Sequence, residues 1–490
     1  MRKLFSLILV LVLCLCSAVS SAESIPADLY DVEPVLCNPD PSPEAQALMD
    51  WICENYGKKM IAGQYLDEWQ YGQELKAVAS ATDGLYPALV GLDLLNYSPA
   101  SVSLGTHGVS VDQAIEYWKQ GYLITFCWHW VAPEKYLDTT GDNWWGGFYT
   151  EKTSIDLAKI MNGEDPEGYD LLIRDIDAIA GQLARLRDAG VPVLWRPLHE
   201  ASGGWFWWGA AGPEAYLQLY RLMYDRFTNV HHLNNLIWVW NGQDAAWYPG
   251  DDMVDMIGID VYPGRHVHDT QQSSFLKCAS FTEARKIILL SECGCVPSTI
   301  KCLNDNVMWS SWAVWCYEFV QVNGQYSGEF TTPELLKRFY EQDHVITLKD
   351  VPAFGREPVT ETTAETADQP DETQLTWSFA EASLTGAARA AGDHVEIRGN
   401  AEEDTVSLVF RVPEDGDYML TIIQNGIGGY KENYLSIDGE RLGNTVVQGE
   451  TEEACDFGPV TLTAGEHTLT ITAFWGWVSL RSLTLTPAGE

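Results

Sequence analysis

Basic residues are scarce in this chain. Lys and Arg together number 30 against 69 Asp and Glu, a formal charge of −39 at pH 7 over 490 residues. A surface this acidic argues against nucleic acid as a partner, because phosphates are held by basic patches. Anionic membranes and polyanionic substrates are disfavoured on the same ground. Long uncharged apolar runs are missing after the first 22 residues, so no later segment reads as a membrane span. Cys-x-x-Cys pairs are also absent. Cys293, Cys295 and Cys302 start inside a strand-end motif and lack the second pair that would make a zinc site.

Residues 1–22 read as a secretory leader. Arg2 and Lys3 give a positive start, Leu4 to Cys16 an apolar run, and Ser20-Ser21-Ala22 a small-residue cleavage site. The mature product is therefore expected to be exported, soluble and extracellular. Two of the eleven cysteines fall in the leader, and the nine that remain cannot all pair. Free, partly buried thiols are expected, with a Cys37–Cys53 bridge left open.

Aromatic residues are abundant: 20 Trp and 22 Tyr. Flat apolar rings of this kind stack on sugars, and neutral polymers are the substrates that the charge still permits. The run Val193 to Glu200 is an apolar strand ending in a basic, imidazole and carboxyl cluster. It opens at once into a glycine-hinged loop carrying Trp205, Phe206, Trp207 and Trp208. Burying such charges costs free energy unless they are paired. Ile287 to Gly294 is a second apolar strand ending in a carboxyl, Glu292. Glycoside chemistry needs such a pair, one protonated to donate to the leaving oxygen and one ionised to attack the anomeric carbon. Retention places them roughly 5–5.5 Å apart.

Between about residues 44 and 346, short apolar runs alternate with helical patterns, the mark of repeated βα units. Candidate strands are 60–65, 88–94, 123–128, 192–199, 236–240, 256–261, 286–292 and 311–317. Eight is the count that closes a parallel (β/α)8 TIM barrel, expected here over 40–350. Helices are clearest at 110–120, 169–189 and 213–227. In the second, Leu171, Leu172, Ile176, Ile179, Leu183 and Leu186 keep helical spacing, and Gly190 sits where a C-terminal cap belongs. Residues 357–373 hold six acids and no base, and are expected to be a linker. From 375 to 490 the period changes to two, in Val406–Val412, Tyr418–Ile423, Tyr434–Ile437, Val460–Leu462 and His467–Thr472. Short alternating strands of this kind predict an all-β sandwich.

The stretch Trp195–Gly209 (WRPLHEASGGWFWWG) resembles the signature of glycoside hydrolase family 26. The resemblance continues through Trp128-His129-Trp130, Gly147–Thr150, Asp260–Pro263 and Leu290–Gly294. It implies a retaining barrel enzyme of a group dominated by β-mannanases, with Glu200 as acid/base and Glu292 as nucleophile. His199 would hydrogen-bond the sugar beside the acid, Trp205 would wall the site, and Tyr262 would orient the nucleophile. Arg196 would supply charge beneath the carboxylates, Trp315 at the end of the eighth strand would be the floor, and His129 is expected in the site. By side-chain type alone, His129 also fits a core histidine, Arg196 a structural ion-pair partner and Trp315 core packing. Trp144 and Trp145 suit distal sugar binding or loop anchoring equally. Trp207 and Trp208 are expected to pack the loop, and His231-His232 to face solvent rather than bind metal.

The C-terminal region resembles carbohydrate-binding module family 35 through Phe410–Tyr418 (FRVPEDGDY), Asn433–Gly439 (NYLSIDG) and Phe474–Val478 (FWGWV). Trp475 or Trp477 is the expected sugar platform, unless one or both fill the core. A calcium ion is not expected, since Phe379-Ala380-Glu381 and Arg481 stand where relatives carry carboxylates. The whole reads as a secreted endo-hydrolase of β-1,4-mannan acting as a monomer, with no metal or organic cofactor. Within the resemblance, β-1,3-xylan or mixed-linkage β-glucan are alternative substrates, and a non-catalytic polysaccharide binder is the alternative outside it.

Overall fold

The computed structural model describes residues 25–356 and 375–487, apart from Tyr71, His107, Gly141, Asp142, Asn323 and Gly355 in the first stretch. In the second it leaves out Ala380, Glu381, Gly392, Asp393, Glu402, Tyr430, Gln448 and Glu450. The expected leader, the acidic linker and two of the four calcium-related positions (Ala380 and Glu381) lie outside the described residues. The chain divides into two compact units, with the boundary in sequence near residue 360.

The first unit is a closed parallel barrel. Its strands are β1 (Met60–Tyr65), β2 (Leu89–Asp93), β3 (Leu123–Cys127), β4 (Val193–Arg196), β5 (Leu236–Trp240), β6 (Met256–Val261), β7 (Ile287–Cys293) and β8 (Ser311–Val314). Each pairs in parallel with the next, and β1 pairs with β8 to close the ring, with Gln64 opposite Val314. Nearly every strand residue is buried, because both faces of such a sheet are covered. That is why the strands read as continuous apolar runs.

Spans β1, β5 and β6 coincide with the expected ones, whereas β4 and β8 are shorter. The run 192–199 was expected as a strand to its end but pairs only to Arg196. Pro197 has no N–H to donate, and Leu198 turns into the left-handed region at φ 51. The run 311–317 likewise stops at Val314, so Trp315 lies one residue beyond β8, and Tyr317 sits at φ 60.

The long outer helix Pro166–Asp188 shows how the local code works. Asp165 caps it by accepting from Gly168 N at 3.0 Å, Pro166 takes the first turn, and Arg185 and Arg187 occupy the last. Its buried stripe includes Leu172, Ile176, Ile179, Leu183 and Leu186. Gly190 follows at φ 68, a conformation that costs a glycine little. Helices Ser110–Lys119 and Pro213–Asp225 occupy the other expected spans, the latter running on as a π turn over Arg226–Val230. No described helix is long and apolar enough to cross a membrane.

Glu74, in helix Gln73–Ala81, is wholly buried just beyond β1. One oxygen accepts from Asp67 N at 3.2 Å and the other has no partner. Burial pushes this carboxyl up to about 7 from an ordinary 4.5. The folded state therefore keeps a proton that the unfolded chain releases. This contribution is complete below the unfolded value and is lost as pH rises through about 7. Glu74→Gln is expected to stabilise the protein by roughly 1–3 kcal/mol near pH ~8 and to change little near pH ~4. Urea unfolding of both proteins at the two pH values checks this, and an equal effect at both would refute it.

The second unit consists of two antiparallel sheets. One is built around Val478–Pro487, which pairs with Leu375–Ser378, Val395–Ile397 and Gly416–Gly426; Glu453–Leu462 extends it. The other runs through Thr405–Val412, Gly465–Ala473, Lys431–Ile437 and Glu440–Val447. Alternate residues point inward: Val406, Leu408, Phe410 and Val412 from one sheet, Leu420, Ile422, Leu483 and Leu485 from the other. Besides the short Leu375–Ser378 and Val395–Ile397, two long strands were not expected, Glu440–Val447 and Val478–Pro487. The first buries only Thr445 and Val447, and the second breaks its alternation where its register with Gly416–Gly426 shifts.

Candidate active site

The carboxyl ends of the strands gather most of the candidate residues. β7 carries an extra residue relative to β6: Ile259 faces Leu290, but Asp260 faces Glu292. The bulge re-aims Glu292 into the ring of strands, where it is almost fully buried. Glu200 arrives from β4 through a strained turn. Both Leu198 and Glu200 (φ 54) are left-handed, and Glu200 N donates to Asn241 O at 2.7 Å. As a result, one carboxylate oxygen each of Glu200, Asp260 and Glu292 lies within 4.8 Å of the others.

Arg196 is the cation of this cluster. Its Nη1 donates to Asp260 Oδ2 at 2.9 Å, and its Nη2 donates to Glu292 Oε1 and, at 3.0 Å, to Tyr65 Oη. Asp260 is further held by Ser291 Oγ at 2.7 Å and Asn241 Nδ2 at 2.8 Å. Tyr262 Oη donates to the other oxygen of Glu292 at 2.6 Å. Burial and the charge on Glu292 raise the Tyr262 phenol, so it keeps its proton to give. The three carboxylates have metal-ligand spacing, but a guanidinium already bridges two of them.

Glu200 has different surroundings. Its contact is Trp205 Nε1, which donates at 2.9 Å, while the Trp205 ring stays half exposed. Burial raises the Glu200 carboxyl, and the nearby charge on Glu292 raises it further. Of two neighbouring carboxyls, then, one is clamped by two donors including a cation, and the other is pushed toward its protonated form.

His199 and His129 line the next side of the cluster, with Nε2 atoms 3.2 Å apart. His129 Nδ1 is bonded to Asp93, which also accepts from His129 N at 3.0 Å. His129 packs edge-on to Phe148, Phe206 and Trp315. Trp315 lies 4.8 Å from Tyr65, the ring beneath Arg196. Two loops brace this wall: Tyr149 bridges Phe206, and Thr150 N donates to Trp205 O at 2.7 Å. Trp207 and Trp208 are buried behind it, as expected of loop packing.

Eight candidates thus converge: Glu200, Glu292, Arg196, Tyr262, Trp205, His199, His129 and Trp315. Trp145 is exposed and stacks on Trp144 at 4.5 Å. Trp475 and Trp477 belong to the second unit, in the turn before Val478. Both are open to solvent, with the Arg398 guanidinium 5.9 Å from the Trp477 ring, so neither fills the core. His231 pairs with Asp177 at 2.7 Å, a local contact the sequence did not disclose. Cys37 and Cys53 are free thiols rather than a bridge. The sequence alone assigns no role to Asp93, Asp260, Asn241 or Tyr65. Each is a polar group at the carboxyl end of an apolar strand run, and that shared position was the available signal.

A cavity of about 1270 Å³ lies elsewhere. Its walls include Lys58, Asp252 and Lys286, which precede β1, β6 and β7, so it opens at the amino end of the barrel. That end serves stability rather than chemistry in barrels of this type.

The sequence profile of glycosyl hydrolase family 26 matches residues 37–350, and that of carbohydrate binding module family 35 matches 370–488. The chain belongs to glycosyl hydrolase family 26. A mannan endo-1,4-beta-mannosidase of Thermothelomyces thermophilus is 42% identical over 338 residues, 69% of this chain and 67% of that protein. This family 26 chain spans 52% and 55% of the length of two relatives from Piromyces sp.. Among solved structures, the Podospora anserina GH26-CBM35 beta-(1,4)-mannanase superposes with a TM-score of 0.62 at 40% identity, covering 68% of this chain and 72% of that one. A beta-mannanase from a symbiotic protist of the termite Reticulitermes speratus, complexed with gluco-manno-oligosaccharide, gives 0.57 at 34% identity. It covers 66% of this chain and 98% of that one.

Proposed function

We propose that this family 26 protein is an exported endo-acting hydrolase of β-1,4-mannan that works with retention of configuration. The observation that carries the reading is the unequal carboxyl pair at the carboxyl end of the barrel, with Glu200 raised by burial and Glu292 clamped by Arg196 and Tyr262. The names of the relatives supply the sugar and the linkage. The expected leader over residues 1–22 supports export.

In this reading Glu200 gives its proton to the glycosidic oxygen while Glu292 attacks the anomeric carbon. The bond to the leaving sugar breaks and an ester to Glu292 forms. Forming the ester removes the charge on Glu292 that helped to raise Glu200. Glu200, now ionised, takes a proton from water, whose oxygen attacks the anomeric carbon and frees Glu292. Tyr262 and Arg196 hold the departing carboxylate, and Trp315 and Trp205 offer apolar faces to the ring. Trp475 and Trp477 present a second surface for the polymer.

The deciding measurement is the product of unsubstituted mannan followed by proton NMR. A spread of oligosaccharides whose first-formed reducing ends are β supports the proposal. First-formed α ends would refute retention. Activity on β-1,3-xylan or lichenan with none on mannan would refute the substrate.

A further inference from the structure

Asp93 lies outside the carboxyl pair, yet it stands at the head of a continuous chain that ends beside Glu200. It closes β2 and accepts three hydrogen bonds: from Leu95 N at 2.9 Å, from His129 N at 3.0 Å and from His129 Nδ1. The far nitrogen of His129 meets Nε2 of His199 at 3.2 Å. His199 is fixed from behind by Trp208 Nε1, which donates to its carbonyl at 2.9 Å. Its other ring nitrogen, Nδ1, is buried without a partner.

Proton counting restricts this chain. Asp93 can only accept, so His129 Nδ1 carries a hydrogen. Only one proton fits between two imidazole nitrogens in contact. If His129 is an imidazolium, its Nε2–H donates to His199, whose own proton must then sit on Nδ1. If His129 is neutral, the donor and acceptor reverse, and His199 Nδ1 becomes a bare lone pair. The state of His199 is therefore written by the charge on His129.

We infer that Asp93 is a positioning residue of the proposed hydrolysis: by keeping His129 cationic, it sets His199 as a neutral ring with its proton on Nδ1. The inference rests on the function proposed above for its kinetic consequence, but not for the proton positions themselves. The charged and titratable groups around His129 are Asp93, His199, Arg196, Glu200 and Glu292, with Cys127 beside Asp93. Burial pulls His129 down, but Asp93 outweighs it and holds the ring above the ordinary 6.5. Burial, with Arg196 and His129 as neighbouring cations, holds His199 well below that value. A neutral His199 is common to both arrangements, and it is the double contact of His129 with Asp93, which favours the imidazolium, that selects the first. That arrangement also leaves a cation close to Glu200, where a carboxyl must change its protonation twice in each turnover.

The test uses the full chain labelled with ¹⁵N-histidine. Near pH ~7, long-range proton–nitrogen spectra should show His129 doubly protonated and His199 protonated on Nδ1 alone. A neutral His129, or a His199 proton on Nε2, would overturn the inference. Asp93→Asn keeps the shape and removes the charge, so His129 should lose its extra proton at neutral pH. The expected result is a loss of roughly 10–100-fold in kcat/KM near pH ~7 that shrinks as pH falls and His129 is reprotonated. A deficit of the same factor at every pH, or none, would mean that Asp93 is merely structural. Should the variant fail to fold, the spectra of the unaltered protein still decide. Failure of the unaltered protein to cleave mannan would instead strike the functional proposal and leave the proton positions standing.

Discussion

Glu292→Ala is expected to abolish mannan hydrolysis, with a loss in kcat on the order of 10⁶-fold, the scale seen when a covalent nucleophile is removed. The fold should survive. Arg196 keeps its ion pair with Asp260 at 2.9 Å, so deleting one of two neighbouring acids leaves that buried pair balanced. The substitution also opens a space beside the anomeric carbon. Added azide, small and anionic, should enter it and yield a glycosyl azide of inverted configuration, with Glu200 still donating to the leaving oxygen. The same variant reports on Glu200. Part of the rise in its proton affinity comes from the charge on Glu292, so Glu200 should titrate lower once that charge is gone. In the unaltered enzyme, rate should fall as pH climbs through the raised Glu200 value, because the acid is then lost. Near-normal turnover by Glu292→Ala would overturn the assignment, and an unmoved Glu200 titration would show that the two carboxyls do not sense each other.

Strand positions in the barrel were readable because both faces of a parallel sheet are covered, which leaves unbroken apolar runs such as Leu236–Trp240. Strand ends were less readable. Arg196, Leu198 and Glu200 all follow an apolar run, and nothing in their side chains announces that the backbone turns left-handed at two of them. That turn is what carries Glu200 toward Glu292, so the least predictable dihedrals are the ones that assemble the site. The two glutamates were legible because each carboxyl closes an apolar run, where charge needs a partner. The partners were harder. Asp93 ends a run much as Glu292 does, but its role appears only when β2 and β3 lie side by side and His129 falls against it. In the second unit, inward alternation revealed the strands with several large apolar residues, and concealed Glu440–Val447, whose inward positions are mostly small or polar. Trp475 and Trp477 could have been core by composition. Only the fold shows them open to solvent.

Arg196→Met should be the most damaging substitution for stability in the barrel. The side chain is buried, bonds Asp260, Glu292 and Tyr65, and lies over the Tyr65 ring. Met fills comparable space but leaves two adjacent carboxylates with no counter-charge. Breaking a buried ion pair from one side costs about 3–5 kcal/mol, most of it from the charge left unpaired. The variant can limit that cost by binding a proton. Burial already raises the Asp260 carboxyl against the pull of Arg196, and without that cation it should rise further, so the variant's stability is retained at low pH and lost as pH rises through the raised value. Urea midpoints for both proteins across the acid and neutral range should therefore converge at low pH and separate above it. Losing the guanidinium also leaves Glu292 Oε1 without its donor, so the maximum rate should drop roughly 10²–10³-fold. Arg196→Lys returns the charge without the planar fork, since one ammonium cannot reproduce three directed bonds, and should recover stability better than rate. If Arg196→Met were as stable as the unaltered protein at neutral pH and kept its rate, the clamp on Glu292 would have to be credited to Tyr262 alone.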